Sequence, residues 1–135
     1  GTEAHLIPEI IKRADIPVIC GPTLCDRCKP EMKNLTINNP AILKKSGIET
    51  AICTDHTVIP VQYLSTCAAL AVKGGMSTED ALYSITMGAS KILGTEKHIG
   101  CIAKGMDADL QLYRKNPLDL TEDPWLVMID GKECF

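Results

Sequence analysis

Apolar positions along the chain switch between two spacings, and the switches mark out the elements. Leu6, Ile7, Ile10, Ile11 and Ala14 fall at helical spacing on one face. Pro8 sits in the first turn of that helix, where its missing N–H does least harm. Ile16-Pro17-Val18-Ile19-Cys20 is a short apolar run closed by Gly21-Pro22, and it predicts a parallel-type strand buried on both faces. The stretch from Thr23 to Asn39 is polar and irregular, and connections of that length in compact domains are often functional. Pro40 to Ser46 predicts a short helix stopped by Gly47. Ile48 to Cys53 predicts a second strand, which runs out at Thr54-Asp55-His56.

Val61 to Val72 is apolar almost all round, with Leu64, Cys67, Ala68, Leu70 and Ala71, and predicts a helix buried against other protein. Gly74-Gly75 ends it. Ser77-Thr78-Glu79-Asp80 is a capping-box pattern opening the next helix, with Ala81, Leu82 and Ile85 on its inner face. A further helical turn, Ala89 to Leu93, stops at Gly94. The pattern then changes. Asp107 to Tyr113 alternates polar and apolar, Trp125 to Ile129 reads as another strand, and Asp130-Gly131 is a strong hairpin signal. The order is therefore αβαβαα to about Leu93, then a small β segment. Strands alternating with helices imply parallel pairing with right-handed crossovers. Two parallel strands alone leave open edges, so the expected cover is a further N-terminal part or another copy of the chain.

Length and composition narrow this picture. With 135 residues there is room for one modest domain with a real core, but not for a (β/α)₈ barrel, which needs roughly 250 residues. Hydrophobic residues make up 45% and charged residues 23%, so the chain has the balance of a globular protein. The formal charge of -3 and the lack of a basic stripe argue against nucleic acid as a partner. No apolar run approaches the ~20 residues that span a bilayer, so a membrane partner is not expected. The start does not read as a signal peptide, and its first residue is Gly1, so the chain is expected to begin inside a longer protein. The seven cysteines are odd in number and several lie in apolar runs. They fit a reduced, cytoplasmic chain better than a disulfide framework.

Asp55 is the first candidate for chemistry. It follows an apolar strand and opens a loop, and sites in parallel α/β folds lie at the carboxyl ends of strands. A carboxylate there can ligate a metal or move a proton, or can simply cap a turn. On extended backbone, neighbouring side chains point opposite ways, so Asp55 and His56 are not expected to share one metal. His56 either contacts substrate or is a plain loop residue. His5 is either a metal ligand at a strand end just before a helix or an N-terminal residue of the first helix, the latter favoured by composition, and His98, beside Lys97, reads as solvated. Cys25-Asp26-Arg27-Cys28 is a single C-x-x-C pair, a weak signal for zinc or redox work. The sequon Asn34-Leu35-Thr36 has no secretory context. Phosphate-binding glycine loops and serine-nucleophile elbows are absent.

These motifs line up with a known family. Gly1-Thr2-Glu3-Ala4-His5-Leu6-Ile7, Gly21-Pro22-Thr23-Leu24, and Thr54-Asp55-His56 with Val58-Ile59-Pro60 are similar to the imidazolonepropionase-like branch of the metal-dependent amidohydrolases. Ala89-Ser90-Lys91-Ile92-Leu93-Gly94 resembles the start of that family's closing signature. Ile99-Gly100-Cys101-Ile102 and Lys104-Gly105-Met106-Asp107-Ala108-Asp109-Leu110 resemble its remainder, and Asp130-Gly131-Lys132 its last hairpin. The resemblance covers nearly the whole chain.

It implies an α/β fold, the C-terminal βα units of a (β/α)₈ barrel followed by a segment of a composite β-sandwich. Residues 1–94 would be the barrel part, with Ile16–Cys20 and Ile48–Cys53 as strands seven and eight, and residues 95–135 the sandwich segment. It further implies hydrolysis of C–N bonds, in cyclic amides or amidines, by water activated on a divalent metal, with zinc the expected ion. Asp55 matches the strand-eight aspartate, which takes a proton from that water, passes it to the leaving nitrogen and is a candidate metal ligand. His56 would contact the small-molecule substrate. The family's first-strand His-x-His, strand-four ligand and strand-five histidine have no counterpart in these residues. The strand-six histidine would fall just before Gly1, and His5 does not match it. The isolated chain is therefore expected to be inactive. Two other readings remain: a stand-alone α/β association module, and a zinc or thiol module using Cys25 and Cys28.

Overall fold

In the computed structural model, which describes residues 1–134, Pro17 sets where the first strand begins. Lacking an N–H, it cannot join the ladder, and β1 spans Val18–Cys20 rather than the five residues from Ile16. The Val18 N–H donates to the Glu49 carbonyl at 2.9 Å, and the Cys53 N–H to the Cys20 carbonyl at 2.8 Å. Between these bonds β1 pairs in parallel with β2 (Thr50–Ile52), in the register Val18 to Thr50 and Cys20 to Ile52. All three residues of β2 are buried. β1 differs from expectation: Val18 and Cys20 are buried, but Ile19 is 39% exposed.

The helices pack around this pair. α1 (Pro8–Arg13) precedes β1 and buries no residue, and Leu6, Ile7 and Ile10 of its apolar stripe stay exposed. α2 (Asn39–Lys45) crosses from β1 to β2 and seats Leu43 with Val18, Cys20 and Ile48 in a small core. The expected helix over Val61–Val72 divides into a 3₁₀ turn at Val61–Tyr63 and α3 (Leu64–Lys73). Only its Cys67, Ala68 and Ala71 face is fully buried, against Ala41, Ile52 and Ile59. α4 (Thr78–Ser84) starts at the Ser77 cap, whose hydroxyl oxygen accepts from the Asp80 N–H at 3.0 Å. α5 (Met87–Leu93) ends at Gly94 in the left-handed region, a usual helix stop.

The tail forms a separate antiparallel sheet in the order β3 (Leu110–Leu112), β4 (Leu126–Ile129), β5 (Lys132–Glu133). Asp130 and Gly131 both have positive φ, 51° and 71°, as a two-residue hairpin turn of this hand requires. Leu118, between β3 and β4, is 8% exposed and inserts into the same core as Ile52 and Cys67. The chain is thus a mixed α/β structure whose tail is anchored to its helical part by a buried side chain. No helix of the described residues is long and apolar enough to cross a membrane.

Candidate functional site

The carboxyl ends of β1 and β2 lie side by side because the strands are parallel and in register. Two loops leave from this end, one through Gly21 and the other through Cys53 and Thr54. They touch closely: a Cβ on Gly21 would overlap the Cys53 carbonyl and thiol, so only glycine lets them meet. Thr54 is buried, and the chain then emerges at Asp55.

Asp55 is exposed, the third residue beyond β2. Its backbone has φ of 54°, a left-handed conformation that Asp tolerates better than most residues. The Val58 N–H donates to the Asp55 carbonyl at 2.8 Å and closes the turn. The backbone is therefore already turning at Asp55. The expectation that Asp55 and His56 point opposite ways assumed extended chain, and that premise does not hold. His56 is exposed beside it.

Thiols crowd the same end. Cys20 ends β1, and Cys67 projects from α3; both are fully buried, and burial pushes Cys20 up to about 12. Burial also raises Cys67, partly offset by the Thr23 hydroxyl beside it. That hydroxyl is buried and meets no hydrogen-bond partner at ordinary geometry. Cys25 is half-buried, with its Sγ 3.7 Å from the Pro22 carbonyl. Its pKa is raised by burial and then by the nearby charges of Cys28, Asp26 and Asp55. Cys25 thus lies within electrostatic reach of Asp55, in surroundings that disfavour the thiolate needed for nucleophilic or metal-binding work. All seven cysteines are free.

Asn39 carries a role the sequence did not reveal. It is 1% exposed, its Oδ1 accepts from the His5 N–H at 2.9 Å, and its Nδ2 donates to the Gly1 carbonyl at 2.7 Å. The Gly1 amino group in turn donates to the Ile19 carbonyl at 2.7 Å. Asn39 therefore holds the first residues alongside β1. The His5 ring nitrogen lies 3.3 Å from the same Asn39 oxygen, a structural contact. His98 is exposed, as expected. An asparagine before proline at a helix start reads locally as a cap, so only the tertiary contacts show what Asn39 does.

A divalent centre takes three or four protein donors. Among the described residues no three His, Cys, Asp or Glu side chains form a metal-binding group. Asp55 is an accessible carboxylate, a group able to accept and release a proton.

The sequence profile of the amidohydrolase family matches residues 2–134. The amidohydrolase tasK of Hapsidospora irregularis is 29% identical over 138 residues, covering 98% of this chain and 14% of that protein. A crystal structure of an amidohydrolase from Thermotoga maritima superposes with a TM-score of 0.95 at 41% identity, covering 100% of this chain and 35% of that one. A further amidohydrolase structure, 21% identical, superposes with a TM-score of 0.71 over 94% of this chain and 36% of its own, a likeness of fold. The chain thus spans about a third of the solved relatives and a much smaller share of the curated one.

Proposed function

From the premise that this chain belongs to the amidohydrolase family, we propose that it supplies the last strands of a (β/α)₈-barrel hydrolase of the imidazolonepropionase-like branch. In this reading residues 1–94 are the closing βα units and residues 95–135 a segment of the accompanying β-sandwich. β1 and β2 are barrel strands seven and eight. The reaction is hydrolysis of a C–N bond in a cyclic amide or amidine-like substrate.

The observation behind this reading is Asp55, an exposed carboxylate just past the carboxyl end of a buried parallel strand. It accepts a proton from the attacking water on a carboxylate oxygen and hands it to the leaving nitrogen as the C–N bond breaks, a contribution worth roughly 10² to 10⁴ in rate. His56, on the same turn, contacts the substrate. Bound metal, with zinc the expected ion, would supply water with a pKa near 7. Asp55 would be one of its ligands, with the rest coming from outside these residues. Leu6, Ile7 and Ile10 of the first helical segment, and separately Ile19 of β1, are exposed apolar side chains, which fits packing against further barrel elements or a second copy.

The test is hydrolysis of a panel of cyclic amides and amidines by the intact polypeptide, before and after chelation. Activity that chelation abolishes and zinc restores is the expected outcome, with none from the 135 residues alone. Turnover by those residues alone, or turnover indifferent to chelator, would contradict the proposal. Light scattering on the 135 residues separates the association reading, which a monomer would remove.

A further inference from the structure

The loop leaving β1 carries two thiols that the hydrolase reading does not use. Cys25 and Cys28 are both free, Cys28 exposed and Cys25 half-buried. Residues three apart come within about 7 Å at Cα when the chain between them turns, which is close to the span of a disulfide. Burial acts most on the Cys25 thiol and the charge of Cys28 next, so the two sulfurs already interact across the loop.

The backbone between them is free to close. Among the described residues Asp26, Arg27 and Cys28 make no backbone–backbone hydrogen bond, so a turn here breaks none. Side chains tether the segment to the rest of its loop: Cys25 Sγ lies 3.7 Å from the Pro22 carbonyl, and Arg27 Nη2 donates to the Leu35 carbonyl at 2.9 Å. The other five thiols are placed differently. Cys20 and Cys67 are fully buried, Cys53 lies against Gly21, and Cys101 and Cys134 are exposed but distant in sequence from any other cysteine.

We propose that Cys25 and Cys28 form a redox site that exchanges with a low-molecular-weight disulfide of the glutathione type and closes to a disulfide within the loop. The exposed Cys28, as thiolate, attacks one sulfur of the small disulfide. That S–S bond breaks, and one small thiol leaves carrying the proton that Cys28 gave up. Cys25 then loses its proton, attacks Cys28 Sγ and expels the second small thiol, which takes that proton. Two protein thiols are oxidised, and one small disulfide is reduced to two thiols. Surroundings that disfavour the Cys25 thiolate suit it to the second step, where its partner is already tethered beside it. The site stands independently of the hydrolase reading.

Incubating the native, intact polypeptide with excess oxidised glutathione, followed by alkylation, trypsin and mass spectrometry, tests this. Trypsin cuts after Arg27, so only a disulfide keeps the Cys25 and Cys28 peptides joined. The joined pair is the expected product, and dithiothreitol should separate it. Cys25→Ser should stop at a glutathione adduct on Cys28, because the second step has lost its thiol. In Cys28→Ser, Cys25 should stay a free thiol for the time in which the unsubstituted protein loses it. Recovery of both cysteines alkylated in the unsubstituted protein would overturn the proposal. So would a bond from either to a different cysteine, a glutathione adduct that persists on Cys28 beside a free Cys25, or Cys25 of Cys28→Ser taking up glutathione at the unsubstituted rate.

Discussion

Asp55 was legible as a residue because its position needs only local reading: an apolar strand ends and an acidic side chain follows. Asn39 and Thr23 were not, because the residues they lie beside, Gly1 and His5 for Asn39 and Cys67 for Thr23, are far along the chain. Cys20 falls between, since its burial was readable from an apolar run but its degree was not. In the folded chain burial raises its thiol to about 12 from the ordinary 9.0. The folded state then holds this proton more tightly than the unfolded state, so the stability it contributes is full below pH 9.0 and is lost as pH rises toward about 12. Urea midpoints at pH 7 and pH 10 should therefore separate more for the native chain than for Cys20→Ala. Equal separations would show that Cys20 titrates freely in the fold.

The elements followed the hydrophobic pattern in kind and order, and departed from it at their ends. Pro17 shortened β1 by withholding a donor, and the helix expected from Val61 begins as a 3₁₀ turn after extended Pro60. The first helix formed as its spacing required, yet Ile11 of its apolar face packs on the small core while Leu6, Ile7 and Ile10 stay exposed, since periodicity shows that a face is apolar without showing what covers it. Capping is where local sequence was most informative. Ser77 caps α4 through the Asp80 N–H, and the Asp80 carboxylate accepts from the Ser77 hydroxyl at 2.9 Å. Ser77→Ala should cost about 1 kcal/mol, measured by chemical denaturation. A loss within error of zero would mean that solvent serves this helix end as well as the hydroxyl does.

At the scale of the molecule, the two sheets share one core through Leu118, which ties the tail to the parallel strands. Nothing in the sequence around Asn116-Pro117-Leu118 marks that anchor, because a single leucine in a polar connection has no periodicity. Leu118→Ala should destabilise the fold by about 2 to 4 kcal/mol. Proteolysis should then cut the tail first if Leu118 is what holds it. The family resemblance, by contrast, was legible over nearly the whole chain, and the profile match over residues 2–134 bears out the amidohydrolase part of it. The assignment of Asp55 to proton transfer is most directly tested by kcat of the intact, metal-loaded enzyme carrying Asp55→Asn, with metal content measured alongside. A fall of roughly 10² to 10⁴ with the fold unchanged is the expected result. Turnover close to that of the unsubstituted enzyme would contradict it.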